Sequence, residues 1–196
     1  MGNNQIKKRA VFLDRDGVLN PTWGKDVYEN PESPLRFEDF KIFPNVPYLI
    51  RQINQMGFLA IVITNQPAVA KGKMTLDDLK KMHNLLLSET TKAGGKIEKI
   101  FTCLHHPDSK QVKVPKFLGE CSCRKPKPGM IISAATEFHI NLHQSWMIGD
   151  TWKDIAAGNL AGCQTILIGE NDLNSSVPDF IAKDLAEAIR IIKRII

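Results

Sequence analysis

Short apolar segments of strand length alternate with helical patterns along most of the 196-residue chain. Runs rich in β-branched and aromatic residues predict strands at 9–14, 58–64, 99–103, 145–149 and 163–168. The spacing of apolar residues elsewhere predicts helices at about 46–56, 75–93, 128–138, 152–162 and 179–195. Because strands that alternate with helices form parallel βαβ units, this order predicts one doubly wound α/β domain with a parallel sheet over residues 1–196.

Composition places the chain among ordinary globular proteins. Hydrophobic residues make up 43% of the chain, charged residues 24%, and the formal net charge is +5, which suits an anionic ligand. The longest strongly apolar run, LAIVI, is too short to span a bilayer, and the first ten residues do not resemble a signal peptide. We therefore expect a cytoplasmic protein without a membrane partner, with reduced cysteines unless a metal holds them. We also expect a monomer, although the sequence does not determine the oligomeric state.

Carboxylates follow two of the predicted strands where each strand ends. Asp14 and Asp16 lie in the stretch FLDRDGVLN, and Asp150 follows SWMIG. Ligands of open α/β sheets bind beyond the carboxyl ends of the strands, and residues i and i+2 of an extended chain point to one side. Three converging carboxylates repel one another unless a hard cation such as Mg²⁺ neutralises them. The alternative, that these aspartates only form turns, explains two separate motifs, D-x-D-G and G-D-x-x-x-D, less well.

Four stretches resemble, in this order, motifs I to IV of the haloacid dehalogenase superfamily: DRDGVLN, ITNQ, CRKPKPG and MIGDTWKD. The part of the chain from about Val11 to Ile168 looks most similar to the branch of histidinol-phosphate and heptose-bisphosphate phosphatases. The resemblance implies a Rossmann-like fold and Mg²⁺-dependent hydrolysis of a phosphomonoester through an aspartyl-phosphate. The substrate that the resemblance favours most is a small phosphorylated sugar, a heptose bisphosphate.

The resemblance also implies a role for each motif residue. Asp14 is the nucleophile, and Asp16 protonates the leaving oxygen and then activates water. Thr64 and Lys125 hold the phosphoryl oxygens, while Mg²⁺ is bound by Asp14, the backbone carbonyl of Asp16, and Asp150. These residue types suit the chemistry, because a carboxylate can attack phosphorus and nearby cations stabilise the charge of the transferring group.

Residues expected to bind substrate flank these positions. By the resemblance they are Asn65, Gln66 and Arg124, of which Arg124 is a cation suited to a second phosphate or carboxylate. The segment 20–45 follows the nucleophile and is expected to close over the sugar, with Trp23 or Tyr28 facing its ring. Departures from the family pattern occur where substrate is recognised, at Pro67-Ala68, Lys71-Gly72 and Thr151.

A second cluster of ligand-type residues lies in the loop at about 103–125. Cys103-x-His105 and Cys121-x-Cys123 are separated by fifteen residues. Three thiolates and one imidazole suit a closed tetrahedral Zn²⁺ site, and each one-residue spacing places a pair on one side of an extended segment. Loose thiols or a disulfide are the alternative, and His106 competes with His105 as a ligand. The resemblance to the zinc loop of the same phosphatase branch favours His105, and Cys163 is expected in the core.

Three classes of function remain open at this stage. The first is a small-molecule phosphatase acting on a sugar phosphate or on histidinol phosphate. The second is a nucleic-acid 3′-end phosphatase, against which the dispersed basic residues and an aromatic content of 7% argue. The third is a zinc-stabilised binding module without catalysis, which the intact set of carboxylates and lysine disfavours. The final stretch, LAEAIRIIKRII, has a helical apolar stripe that predicts packing on the sheet rather than on a membrane.

Overall fold

The computed structural model describes residues 7–22, 33–169 and 176–196. Within these ranges six strands form one sheet: β1 Arg9–Leu13, β2 Phe58–Asn65, β3 Ile97–Cys103, β4 Trp146–Gly149, β5 Gln164–Ile168 and β6 Phe180–Ala182. Their spatial order is β3-β2-β1-β4-β5-β6, and all neighbouring strands are parallel. The predicted α/β class with a doubly wound parallel sheet is therefore confirmed.

Helices lie between consecutive strands from β1 to β5, as parallel pairing requires. The described residues contain α1 Val46–Gln55, α2 Pro67–Ala70, α3 Leu76–Lys92, α4 Gly129–Phe138, α5 Trp152–Ala161 and α6 Leu185–Ile195. At the starts of α3 and α6, the side chain of the N-cap residue satisfies a free backbone N–H group. The hydroxyl of Thr75 accepts from the backbone of Asp78 at the start of α3, and the carboxylate of Asp184 accepts from Glu187 at the start of α6.

Three of these helices and strands, namely α6, β6 and α2, were not predicted correctly. The last helix begins at Leu185 rather than at about 179, because Phe180–Ala182 forms strand β6 on the outside of β5. Three residues are too few to show a strand period, and pairing with β5 makes this segment a strand. The single-turn helix Pro67–Ala70 was also missed, although proline at the first position of a helix is favourable.

Apolar side chains pack on both faces of the sheet. Along β1 they alternate, with Val11 and Leu13 in the layer under α1 and α6, and Ala10 and Phe12 in the layer under α4 and α5. The expected packing of the C-terminal helix is confirmed, since its buried residues join the first layer. Cys163 belongs to the second layer, as expected. Among the described residues, none of the helices has the length and apolar character needed to cross a bilayer.

The centre of the sheet determines where the site lies. Strand β1 pairs with β2 on one side and β4 on the other, with Leu13 opposite both Val62 and Ile148. The residues that follow these three strands therefore meet at one edge of the sheet, beyond the carboxyl ends of the strands.

Candidate active site

Three carboxylates meet at this edge. Asp14 follows β1, Asp150 follows β4, and Asp154 lies in the first turn of α5. Oxygen atoms of the three side chains lie within 4.8 Å of one another, and all three residues are buried. The sequence predicted that Asp14 and Asp150 converge. It assigned no role to Asp154, although this residue completes the G-D-x-x-x-D motif.

The turn after Asp14 fits closely against Asp150. Gly17 has a φ of +83°, a left-handed conformation that favours glycine. A Cβ atom at this position would lie 2.0 Å from Oδ2 of Asp150. Glycine is therefore required here both by the backbone conformation and by the close approach of the carboxylate.

Lys125 lies among the carboxylates and is itself almost fully buried. Its Nζ is 2.8 Å from Oδ1 of Asp14 and 2.5 Å from Oδ1 of Asp154, and it donates to the carbonyl of Ile63. Burial alone would lower the pKa of Lys125, but the charges of Asp14 and Asp154 outweigh it and raise the pKa above its usual value. Lys125 is therefore a permanently charged ammonium group.

The negative charge of the cluster exceeds what Lys125 neutralises. Burial and the neighbouring charges of Asp154 and Asp150 raise the pKa of Asp14 well above its usual value, against the opposing effect of Lys125. A hard divalent cation beside Asp14 and Asp150 would reverse this repulsion, and carboxylate oxygens are the ligands that Mg²⁺ prefers. The donor set of the cluster therefore fits the expected metal.

The side chain of Asp16 is held apart from this cluster by hydrogen bonds. Oδ1 accepts from Arg15 at 3.0 Å and from Nδ2 of Asn20 at 2.9 Å. Oδ2 accepts from Nε2 of Gln66 at 2.7 Å and from the hydroxyl of Ser33 at 2.9 Å. Burial by itself would raise the pKa of Asp16, but the charge of Arg15 and these hydrogen bonds hold the pKa below its usual value.

Arg15, between the two motif I aspartates, is fully buried. Its guanidinium lies 5.4 Å from the ring centre of Phe40, and Nη1 lies 3.2 Å from Nε2 of His83 on α3. Since arginine has no acceptor, the histidine nitrogen accepts this hydrogen bond. Burial and the charge of Arg15 lower the pKa of His83 from 6.5 to about 4, so the imidazole is neutral near pH 7.

The motif II residues mainly hold other parts of the site. Nδ2 of Asn65 donates to the carbonyl of Lys125 at 3.1 Å, and Oδ1 accepts from the backbone N–H of Lys125 at 3.1 Å. Gln66 donates to the buried hydroxyl of Thr64 at 2.8 Å as well as to Asp16. Asn65 and Gln66 thus position Lys125 and Asp16, while direct contact with substrate stays a prediction for both.

The second cluster forms as the spacing predicted. One sulfur or imidazole nitrogen from each of four side chains lies within 4.8 Å of the others, namely Cys103, His105, Cys121 and Cys123. All cysteines are free, so the disulfide alternative is not what the structure shows. His106 lies outside the cluster, and its Nδ1 accepts from the backbone of Asp108. Three sulfurs and one nitrogen are the soft donor set of a closed zinc site.

The cysteine cluster is joined to the active-site lysine by a short piece of chain. A single residue, Arg124, separates Cys123 from Lys125, and its Nη1 donates to the carbonyl of His105 at 3.2 Å. The N–H of Gly129 donates to the carbonyl of Ser122, and a Cβ at Gly129 would approach that oxygen to 2.3 Å. The position of Lys125 therefore depends on how this loop folds.

The departures from the family pattern have local structural roles. Pro67-Ala68 begins α2, and Gly72 after it has a positive φ of 65°. Thr151 is the N-cap residue of α5 and forms a capping box with Asp154, whose Oδ2 accepts from the backbone N–H and the hydroxyl of Thr151. Trp23 and Tyr28, which were expected to face the sugar, lie outside the described residues.

Comparison with known proteins agrees with this architecture. The model of the HAD-hydrolase-like family matches residues 122–188. A D-glycero-beta-D-manno-heptose-1,7-bisphosphate 7-phosphatase from Rhodopseudomonas palustris is 34% identical over 80% of this chain and 81% of its own length. The enzyme of the same name from Helicobacter pylori is 33% identical over 94% of this chain and 98% of its own length. The chain belongs to the haloacid dehalogenase superfamily and is one of its phosphatases.

A solved structure shows the same fold. The crystal structure of D,D-heptose 1,7-bisphosphate phosphatase from B. bronchiseptica, complexed with magnesium and phosphate, matches with a TM-score of 0.77. The match has 24% identity and covers 96% of this chain and 99% of the other. This match confirms the fold, and the sequence relatives confirm the superfamily that the four motifs indicated.

Asp154, Arg15 and His83 are among the residues of the phosphatase site that were not identified from the sequence. Asp154 was recognisable only as the last letter of a motif, and Arg15 only as a residue between two aspartates. His83 had no signal at all, because it is 68 residues from Arg15 in the chain. Folding brings α3 against motif I, and only then does the contact exist.

Proposed function

We propose that this phosphatase removes one phosphate group from a small phosphorylated sugar, and that the substrate is D-glycero-D-manno-heptose 1,7-bisphosphate, hydrolysed at the 7-phosphate. The observation that carries the proposal is the buried carboxylate of Asp14, 2.8 Å from the ammonium of Lys125, beside Asp150 at the carboxyl edge of the sheet. The names of relatives that are 30–34% identical over most of the chain support the choice of sugar.

Asp14 acts as the nucleophile. Its carboxylate attacks phosphorus, the ester P–O bond breaks, and an aspartyl-phosphate forms while the departing oxygen takes a proton from Asp16. Asp16 then accepts a proton from water, which attacks the aspartyl-phosphate and releases inorganic phosphate. The hydrogen bonds to Asp16 favour its ionised form, which suits the second step. The first step requires that the bound substrate displaces some of these donors and that Asp16 carries a proton.

The charge of the transferring phosphoryl group is stabilised by groups that are already in place. Lys125 reaches it as a fixed ammonium, and the buried hydroxyl of Thr64 lies at the end of the neighbouring strand. Mg²⁺, bound by Asp14, Asp150 and the backbone carbonyl of Asp16, would neutralise the carboxylates and polarise the phosphoryl oxygens. Asp154 helps to keep Lys125 oriented through a second ion pair.

The cysteine cluster has a structural role in this proposal. With four protein ligands a Zn²⁺ ion would have no open position for water, so it would not activate a nucleophile. It would instead fold the loop 103–125, which presents Arg124 and Lys125. Arg124 would bind the second phosphate of the substrate, since a guanidinium can bind a phosphate through two hydrogen bonds.

The cellular location and the domain organisation of the enzyme are also part of the proposal. Free cysteines suit a reducing compartment, so we place the enzyme in the cytoplasm. We propose a single domain, because the described strands all join one sheet, and we expect the enzyme to act as a monomer.

A substrate panel tests the proposal. Specificity constants would be measured with Mg²⁺ for both anomers of heptose 1,7-bisphosphate, for histidinol phosphate and for a 3′-phosphorylated oligonucleotide. We expect a heptose bisphosphate to have the highest value. If histidinol phosphate or the oligonucleotide exceeded it by about tenfold or more, the sugar substrate would be wrong; an oligonucleotide substrate would also show a steep fall in affinity with salt.

The variant Asp14→Asn is the control for the mechanism. The amide keeps the shape of the side chain but removes the nucleophile, so every substrate in the panel should remain unhydrolysed. A rate close to that of the wild-type enzyme would refute the aspartyl-phosphate. Arg124→Ala should weaken hydrolysis of the bisphosphate more than that of a monophosphate. Equal effects on both would show that Arg124 does not bind a second anion.

A further inference from the structure

The contact between Arg15 and His83 has no role in the proposed chemistry described above. Arg15 is fully buried, and a buried guanidinium needs partners for its donors. Nε and Nη2 donate to the carboxylate of Asp16, at 3.3 Å and 3.0 Å. Nη1 points the other way and donates to Nε2 of His83 at 3.2 Å. The guanidinium thus bridges a carboxylate of motif I and a helix that supplies no motif residue.

We propose that His83 is a positioning residue for the first chemical step: by accepting a hydrogen bond from Arg15, it keeps the carboxylate of Asp16 where it can protonate the leaving oxygen. This inference rests on the proposed function, in which Asp16 is the acid. His83 touches neither the phosphoryl group nor the substrate in this account, and it acts only through Arg15.

The geometry shows why the histidine matters for orientation. A guanidinium is planar, so its hydrogen bonds at one end determine the direction of the donors at the other end. Asp16 and His83 hold the two ends, and the ring of Phe40 lies 5.4 Å from the guanidinium carbon. Without the acceptor on His83, Nη1 has a buried donor to satisfy, and the group must turn to satisfy it. Asp16 would turn with it.

The imidazole is suited to this role because it is neutral. Burial first, and then the charge of Arg15, lower the pKa of His83 to about 4, so Nε2 keeps its lone pair at neutral pH. The backbone N–H of Arg15 also donates to Oδ1 of Asp14 at 2.7 Å. A movement of Arg15 would therefore change the positions of the carboxylates of both Asp14 and Asp16.

The leaving group offers a test that separates positioning from stability. An alkoxide from a sugar phosphate is a poor leaving group and needs a proton as the P–O bond breaks, whereas 4-nitrophenolate leaves without one. The specificity constant reports only the steps up to loss of the leaving group, so slow hydrolysis of the aspartyl-phosphate does not affect it. A defect in the acid must therefore reduce the specificity constant for the sugar phosphate more than that for 4-nitrophenyl phosphate.

The experiment compares kcat/KM for a sugar phosphate and for 4-nitrophenyl phosphate in four proteins. His83→Leu removes the acceptor, and His83→Gln places an amide oxygen at a similar reach. Asn84→Ala changes the next, exposed residue of α3 and is the matched control. We expect His83→Leu to lose at least about tenfold more on the sugar phosphate than on 4-nitrophenyl phosphate, within the range that acid catalysis supplies. His83→Gln should restore most of this difference, and Asn84→Ala should show none.

Each outcome is decisive. Equal losses on both substrates in folded His83→Leu, or no loss on either, would overturn the inference and leave the proposed function intact. If His83→Leu did not fold, His83→Met, which also lacks a strong acceptor but has a flexible side chain, would be measured against the same criterion. A wild-type enzyme that hydrolysed neither substrate would overturn the proposed function, and the inference with it.

Discussion

The histidine beside Arg15 makes a quantitative prediction about stability and pH. The pKa of His83 falls from 6.5 to about 4 on folding, because the ring is partly buried and faces a positive charge. Above pH 6.5 the ring is neutral in both states and contributes nothing to the pH dependence. As the pH falls below 6.5, the unfolded chain binds a proton that the folded chain does not bind until about pH 4. Acid therefore destabilises the fold through this residue.

The size of the effect follows from the two pKa values. One unit of pKa difference corresponds to about 1.4 kcal/mol, so the change from 6.5 to about 4 amounts to about 3 kcal/mol. This loss in the free energy of unfolding accumulates between pH 6.5 and 4 and is constant below that range.

Urea denaturation of the wild-type protein and of His83→Gln at several pH values measures this contribution of His83 to the free energy of unfolding. Glutamine does not titrate, so the difference in unfolding free energy between the two proteins cancels the contributions of carboxylates that titrate in the same range. We expect the wild type to lose about 3 kcal/mol relative to His83→Gln between pH 7 and 4. A difference that stayed constant over this range would refute the buried, neutral imidazole next to Arg15, as would an NMR titration with a pKa near 6.5.

Three other substitutions test contacts within the site. Asp154→Asn removes one of the two carboxylates that pair with Lys125 and one negative charge that repels Asp14, so the pKa of Asp14 should fall; an NMR titration in which the pKa of Asp14 did not change would contradict the carboxylate cluster. Gly17→Ala places a Cβ 2.0 Å from Oδ2 of Asp150 and should displace this carboxylate, so kcat/KM should fall by about 10²-fold. Activity close to that of the wild type would refute the close approach. Elemental analysis of the wild-type protein should find about one zinc per chain. Cys121→Ser should lose this zinc and have a lower melting temperature. Full zinc content in that variant would exclude Cys121 as a ligand.

Much of the fold was predictable because its strands are buried on both faces. Such strands read as continuous apolar runs, and RAVFL and FLAIVIT could be located within a residue or two from the sequence. The strand Phe180–Ala182 could not, since it has only three residues, one of which is exposed, and its conformation depends on pairing with β5. The local sequence pattern thus predicts strands that are long and apolar, and it fails for short strands whose conformation depends on pairing with a neighbouring strand.

Some contacts of the candidate site could also be predicted from the sequence, whereas others could not. Asp14 and Asp150 were predictable because topology alone brings the ends of parallel neighbouring strands together. The cysteine cluster was predictable because the ligands come in two close pairs. The pairing of Asp154 with Lys125 was not, because it depends on how the first turn of α5 faces a loop 29 positions earlier in the chain.

The sequence by itself therefore determined the class of fold, the superfamily, and the residue types gathered at the carboxyl edge of the sheet. These depend on apolar period and on short motifs, which are local properties of the chain. Only the tertiary structure decided which partner each charged group has. Arg15 binds both Asp16 and His83, and Asn65 holds the backbone of Lys125. The reason is physical: a buried polar group must find a partner within hydrogen-bond distance, and packing decides which residues lie within that distance.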